Sequence, residues 1–143
     1  MTEVQFHVNV RDRLQYTCRL LRKAARMGAR VAVTGPAPLL ADLDRALWVF
    51  EADEFLPHAV IGDSVSLSPA QRRAPVWLLD RADRAPVLPV LVNLGAEVPA
   101  GFEAYQRLIE IVTDDDDERE VGRRRWRQYQ ARGCSPAKHE ATA

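Results

Sequence analysis

The sequence predicts an α/β fold, a single three-layer domain in which a mainly parallel sheet carries helices on both faces in a Rossmann-like topology. Two observations support this fold class. Strand patterns alternate with helical patterns along the chain, and several strand segments are apolar throughout, as is typical of strands that are covered on both sides. A chain of 143 residues, 47% of them apolar, has the size of one domain with an ample core.

The N-terminal half supplies two strands and two helices. Apolar and polar residues alternate over 4–10, which predicts a half-buried strand. Residues 12–27 carry an apolar stripe at helical spacing, and Gly28 is suited to cap the end of that helix. The apolar segment 29–35 is the second strand. The second helix, 38–50, opens with proline and keeps its apolar side chains on one face.

The C-terminal half begins with irregular segments and continues with strands. Residues 51–58 are irregular and acidic, and 62–75 form a polar loop with two prolines. The next predicted elements are a strand at 76–80, a strand at 89–94, a short helix at 102–107 and a strand at 108–112. A long helix follows. The domain is expected to cover residues 1–134, and the polar tail, 135–143, is expected to be disordered.

The last long helix has an unusual distribution of charge. It opens with the carboxylates of Asp114–Asp117, which suit the positive end of the helix dipole, and then becomes basic and aromatic. At about 100° per residue, Arg119, Arg123 and Trp126 fall within roughly 60° of each other. Gly122, Trp126 and Tyr129 form a neighbouring arc that faces the protein. Arginine beside an aromatic ring is typical of a protein-binding hot spot, here for an acidic partner with an apolar anchor.

A second tryptophan also lies off its expected face. Trp48 is roughly opposite Leu39 and Phe50 if the second helix keeps about 100° per residue. A tryptophan in that position lies at a frayed helix end, packs against the next segment of chain or belongs to a partner-binding surface.

Composition and motifs argue against several functional classes. The formal net charge is zero, so no global field drives the chain onto nucleic acid or a membrane, and no apolar segment is long enough to span one. The N-terminus does not resemble a signal peptide, and Cys18 and Cys134 are interpreted as reduced thiols of a cytoplasmic protein. No metal or cofactor site is predicted, because the three histidines lack ligand spacing. Asp80 and Asp83 flank a turn and are interpreted as turn residues.

The strongest enzyme-like motif is the TGPAP turn after the second strand. Ligands of parallel sheets gather at such turns. Pro36 and Pro38 remove two N–H groups that a phosphate would need, however, and no Gly-Lys-Ser/Thr follows. We therefore interpret it as a plain strand-to-helix turn, and we identify no catalytic residues.

Several segments resemble the chi subunit of the bacterial DNA polymerase III holoenzyme. The similarity lies in ALWVFEADEFLPHAV, in VQFHV at the start, in GARVAV before the second helix and in the closing REVGRRRWRQYQARG, and it covers roughly residues 1–134 in order. It implies a non-catalytic accessory subunit of the clamp-loader assembly in DNA replication, within a DNA-directed DNA polymerase holoenzyme. It further implies two partners, the acidic, Phe-ended C-terminal tail of single-stranded DNA-binding protein and the psi subunit, with DNA reached indirectly through them.

The resemblance also implies a site for that tail. The family's tail-binding positions fall on Arg119, Arg123, Trp126 and Trp48, with Val112 as an apolar wall. The family often has Lys and Tyr where Arg119 and Trp126 stand, and both changes keep charge and aromatic character. We expect Arg123 to clamp the terminal carboxylate.

Arg127, with Arg119, is expected to supply diffuse positive charge to this site.

Two other classes of function stay open at this stage. One is a direct single-stranded nucleic-acid-binding module that uses the same Arg/Trp face. The other is a nucleotide-dependent enzyme, supported by the TGPAP turn alone.

Overall fold

The computed structural model describes residues 2–49, 56–61, 68–82 and 89–141. Its strands are β1 (Glu3–Val10), β2 (Val31–Thr34), β3 (His58–Ile61), β4 (Val76–Leu79), β5 (Val90–Asn93), β6 (Arg107–Thr113) and β7 (Ala137–Glu140). Its helices are α1 (Arg13–Arg26), α2 (Ala37–Val49), α3 (Pro69–Arg73) and α4 (Asp116–Ala131), with a 3-10 helix at Phe102–Ala104.

The strands form one seven-stranded sheet in the order β3-β4-β2-β5-β6-β1-β7, and all the described pairings are parallel. The central strands β2 and β4 are buried along their whole length. This arrangement confirms the predicted fold class, because strands that are apolar on both faces need a helical layer on each side.

Helices cover both faces of this sheet. The buried leucines of α1 and α2, among them Leu21, Leu43 and Leu47, share one core with Val31 and Val33. On the opposite face, Tyr129 of α4 packs in a second core. The three layers therefore place α4 across the sheet from α1 and α2.

Local sequence signals fix the ends of α1. The side chain of Asp12 accepts a hydrogen bond from the backbone N–H of Gln15 at 3.0 Å and caps the N-terminus. After the last turn, Gly28 has φ 79°, a left-handed conformation that glycine adopts without strain. No helix among the described residues is long and apolar enough to cross a membrane.

The structure departs from the predicted elements in four places. Residues 137–140 form the edge strand β7 beside β1, although the tail was predicted to be disordered. His58–Ile61 form a strand that the sequence analysis did not identify. The polar loop contains α3, which Ser68 caps through a capping box with Gln71. The helix predicted at 102–107 is a single 3-10 turn followed by β6. Residues 51–55, predicted to be irregular, lie outside the described residues, as does Asp83.

Candidate functional site

A cavity of about 300 Å³ lies between α4 and the β1–β7 edge of the sheet. Its floor and walls come from three strands and one helix. The residues that line it are Phe6, Val8, Asn9, Val112, Arg119, Gly122, Arg123, Trp126, Lys138 and Glu140. Four of the six residues predicted for the site, Arg119, Arg123, Trp126 and Val112, thus meet in one place.

The start of α4 is held by capping and by an ion pair. The carboxylate of Asp115 accepts a hydrogen bond from the N–H of Glu118 at 3.1 Å. Glu118 in turn pairs with Arg13 of α1 at 2.5 Å. Further along the helix, a Cβ added at Gly122 would lie 3.1 Å from Cγ2 of Val112. Glycine therefore lets α4 approach β6 closely, and Val112 reaches the cavity wall.

Trp126 lies on the border between the core and the cavity. Its ring packs on Phe6 with centroids 5.0 Å apart, and Phe6 also contacts Tyr129 at 5.9 Å. Gly122 and Tyr129 are buried, whereas Trp126 is partly exposed. The predicted arc of these three residues toward the protein is confirmed, and the ring of Trp126 forms a fixed apolar wall.

The polar rim of the cavity carries three cationic side chains and one carboxylate. Arg119 donates a hydrogen bond to Oδ1 of Asn9 at 2.8 Å. Arg123 is exposed and contacts Glu120 of its own helix at 3.3 Å. Lys138 and Glu140 come from β7 and pair with each other at 3.5 Å. An excess of positive charge beside apolar walls suits a ligand with an apolar group and acidic substituents.

A buried polar network lies beneath this part of α4. The carboxylate of Glu110 accepts hydrogen bonds from Nε of Arg125 at 2.9 Å, from the hydroxyl of Tyr129 at 2.5 Å and from the amide of Asn93 at 2.9 Å. Burial raises the pKa of the Glu110 carboxyl, and the Arg125 guanidinium opposes that rise. Burial, and then the charge of Glu110, also raise the pKa of Tyr129, so its hydroxyl remains a donor. The network fixes the rotation of α4 on the sheet.

Trp48 is not part of the cavity. It stands at the end of α2, whose buried leucines lie on the opposite face of the sheet, and its ring contacts His58 of β3 with centroids 5.3 Å apart. β3 and β7 are the two opposite edges of the sheet. The predicted role of Trp48 as a wall of the same pocket is therefore corrected, since the sheet separates it from Trp126.

Arg127 also lies outside the cavity lining. It is exposed, one turn beyond Arg123 on α4. The neighbouring Arg124 lines a different cavity on the other side of the helix, with Ala96 and Glu97. Of the exposed arginines on α4, Arg119 and Arg123 thus line the cavity beside Trp126.

The other motifs of the sequence have structural explanations. In the TGPAP turn, Gly35 lies against Leu94, and the carbonyl of Thr34 accepts a hydrogen bond from Leu94 N at 2.8 Å. His7 is hydrogen-bonded to Tyr16, and burial together with the charge of His139 lowers its pKa to about 4. These contacts fit the interpretation of the TGPAP segment as a plain strand-to-helix turn. They also fit a structural role for His7.

Sequence analysis missed three polar residues of the cavity, namely Asn9, Lys138 and Glu140. Asn9 has φ 59°, a conformation that asparagine tolerates better than most residues, and the β1–β6 register shifts between His7 and Val10. Such an irregularity re-aims a side chain. An alternating strand pattern does not reveal it, and a polar tail does not indicate where it docks.

Comparison with known proteins gives consistent results. The family model described as "DNA polymerase III chi subunit, HolC" matches residues 1–137. The chain is 31% identical over 138 residues to the DNA polymerase III subunit chi of Pseudomonas aeruginosa, covering 93% of this chain and 92% of that protein. It is 27% identical over 127 residues to the subunit chi of Haemophilus influenzae, covering 83% and 81% of the two chains.

Proposed function

We propose that this chain, which belongs to the DNA polymerase III chi-subunit family and is therefore a replication accessory subunit, captures the acidic C-terminal tail of single-stranded DNA-binding protein. The cavity between α4 and the β1–β7 edge is the proposed site. In this role the chain has no catalytic activity of its own, works in the cytoplasm and links the clamp-loader assembly to DNA through the tail.

One observation carries this proposal. Arg119, Arg123 and Trp126 of α4 and Val112 of β6 line a single cavity. A peptide that ends in phenylalanine with a free carboxylate needs a pocket for its ring and a cation for its terminus. Trp126 and Val112 supply apolar walls, and guanidinium groups bind carboxylates with two parallel hydrogen bonds.

The energetics suit a reversible link. Arg119 and Arg127 are exposed, so each ion pair that they form with the peptide contributes only about 0.2–1 kcal/mol, whereas the carboxylate clamp at Arg123 is expected to contribute about 1–3 kcal/mol. Burial of one aromatic ring contributes about 1.5–3 kcal/mol more. We therefore expect an affinity no tighter than micromolar, which corresponds to about −8 kcal/mol, and it should weaken with salt because exposed charges are screened over about 10 Å at 0.1 M.

Calorimetry with the tail peptide tests this site. Arg123→Ala is expected to weaken binding by about 1–3 kcal/mol, the range for losing a charge-assisted contact. It should barely change folding stability, because Arg123 is exposed and its ion pair with Glu120 lies within one turn of the helix. The matched control is Arg124→Ala, which removes the same charge from the next position but lies beside the other cavity.

A second peptide, amidated at its C-terminus, separates the carboxylate clamp from general charge attraction. Amidation should weaken binding to the wild type more than to Arg123→Ala. The proposed site is wrong if Arg123→Ala and Arg124→Ala have equal effects, or if amidation leaves the affinity of the wild type unchanged. Arg127→Ala should have an effect between those of Arg123→Ala and Arg124→Ala, because Arg127 is on the same face but outside the cavity.

Trp48 supports a second proposed contact, with the psi subunit where one exists. Three large apolar side chains are exposed here, Trp48 by 59%, Val49 by 78% and Val60 by 53%. His58 lies between them, because its ring contacts Trp48 and it precedes Val60 by two residues on β3. Large exposed apolar side chains in one patch often mark a partner surface. Trp48→Ala should reduce co-purification with the other clamp-loader subunits while tail-peptide affinity stays unchanged. Loss of tail-peptide binding in that variant would instead show that Trp48 belongs to the tail site.

Direct binding of single-stranded nucleic acid is the alternative use of the same helix face. α4 exposes Arg119, Arg123, Arg124 and Arg127, which could follow a phosphate backbone. The zero net charge and the acidic first turn of α4 weigh against it. Titration of a labelled oligonucleotide in competition with the tail peptide distinguishes the two, and tighter binding of the oligonucleotide would favour the alternative.

A further inference from the structure

A carboxylate of the chain itself already occupies the polar side of the proposed tail site. Glu140, on the edge strand β7, lines the cavity together with Arg119 and Lys138. Its Oε2 accepts a hydrogen bond from the side-chain amide of Asn9, and its Oε1 lies 3.5 Å from Nζ of Lys138. Glu140 thus uses the kind of partners that an acidic ligand would need.

Asn9 connects this carboxylate to the arginines of α4. Its amide group donates to Glu140, while its Oδ1 accepts from Arg119 at 2.8 Å. The side chain is aimed between the two because β1 loses its regular register after His7 and Asn9 takes φ 59°. A chain of contacts therefore runs from Glu140 through Asn9 to Arg119.

The strand that carries Glu140 is attached weakly. β7 has four residues, all exposed, and among the described strands it pairs with β1 at one edge of the sheet. Short exposed edge strands open locally at low free-energy cost, because few apolar contacts are lost. The carboxylate can therefore leave the cavity without unfolding the domain.

We infer that Glu140 is an internal competitor for the acidic ligand, so that a ligand carboxylate replaces the Glu140 carboxylate beside Asn9 and Lys138. This inference rests on the proposed tail site. Glu140 lowers the affinity of the site for every acidic ligand and favours those whose carboxylates bind well enough to displace it. Lys138, which Glu140 neutralises in the free protein, becomes a partner of the bound ligand.

Glu140→Gln tests the inference, because glutamine keeps an acceptor for Asn9 but removes the charge. It should tighten binding of the acidic tail peptide about two- to fivefold at low salt, the range expected for one exposed charge pair. The gain should disappear near 1 M salt, where the screening length is about 3 Å. Lys138→Gln should weaken binding by a similar factor. The control Glu103→Gln removes an exposed carboxylate that pairs with Arg132 at the far end of α4, and it should leave the affinity unchanged.

Nuclear magnetic resonance of the Asn9 side-chain amide gives a second measurement. The amide signals should shift when peptide is added to the wild type, because Asn9 exchanges Glu140 for the ligand. The inference is overturned if Glu140→Gln binds no more tightly than the wild type while Arg123→Ala weakens binding, or if the Asn9 signals stay in place with peptide bound. If the wild type does not bind the peptide at all, the proposed tail site itself fails, and the inference fails with it.

Discussion

The close approach of α4 to β6 at Gly122 leads to a quantitative prediction. A Cβ at this position would lie 3.1 Å from Cγ2 and 3.3 Å from Cγ1 of Val112, closer than ordinary van der Waals contact. Gly122→Ala should therefore press the helix against the strand that forms the cavity wall. Its effect on stability is the difference between two opposing contributions.

The first contribution is helix propensity, which favours alanine over glycine by about 0.8–1 kcal/mol within a helix. The second is overpacking, which costs about 1–3 kcal/mol in a well-packed core. We expect Gly122→Ala to destabilise the protein by about 0–2 kcal/mol. In a Val112→Ala background the two methyl groups of Val112 are gone, so the same change should stabilise by about 0.8–1 kcal/mol. The coupling between the two sites is then about 1–3 kcal/mol.

Urea unfolding of the four proteins measures this double-mutant cycle, and tail-peptide affinity measured on the same set reports on the cavity. Gly122→Ala should also weaken peptide binding, because a shift of Val112 or of α4 moves the wall against Trp126. The reasoning is refuted if Gly122→Ala raises stability equally in the wild type and in the Val112→Ala background. Such a result would mean that the helix does not touch the strand at this point.

Three further predictions concern the core and the buried charges. Leu43→Ala, at a side chain with no exposed surface, should cost about 2–5 kcal/mol in urea unfolding, and Trp48→Ala should cost clearly less; an equal cost would make Trp48 a core residue. Arg125→Ala should cost about 3–5 kcal/mol, because it leaves the carboxylate of Glu110 buried and unpaired. The stability lost in Arg125→Ala should grow as pH rises, because burial raises the pKa of Glu110 and the unpaired carboxyl becomes charged only as pH rises through that raised pKa. A stability loss that does not change with pH would contradict this prediction. Burial lowers the pKa of His7 from 6.5 to about 4, so the folded state binds fewer protons than the unfolded state. Stability should therefore fall as pH drops through that window, and His7→Gln should remove this part of the pH dependence.

The parts of the fold that sequence predicted share one physical property. Their side chains meet two environments, core and solvent, and the resulting apolar period can be read directly. This holds for α1 and α2, whereas the continuously buried β4 could be recognised because it is apolar throughout. On α4, helical geometry alone brought Arg119, Arg123 and Trp126 together, and the cavity lining confirms that placement.

The parts that sequence did not predict lack such a contrast. All four residues of β7 are exposed, so an edge strand of this kind looks like a polar tail. β3 is a four-residue edge strand next to the segment that was interpreted as irregular. Neither strand has enough residues for its alternation to stand out from a loop.

The position of Trp48 could not be predicted for a different reason. Helical geometry correctly placed its ring away from the buried face of α2, where it is 59% exposed. Which other residues share that surface depends on the face of the sheet that each helix covers. That choice is set by the crossover connections of the strands and not by the pattern within a helix.

The same layering gives the proposed function its geometry. The proposed tail site lies with α4 on one face of the sheet, near the β7 edge. The exposed apolar surface of Trp48, Val49 and Val60 lies with α2 on the other face, near the β3 edge. A protein that links two partners must bind both at once, and a seven-stranded sheet between the two surfaces keeps the partners from competing for space. Parallel strands join the surfaces, and the buried Glu110–Arg125–Tyr129 network holds α4 in place. Among the described residues, the sheet and this network thus separate the two proposed surfaces, which suits the proposed role of linking two partners.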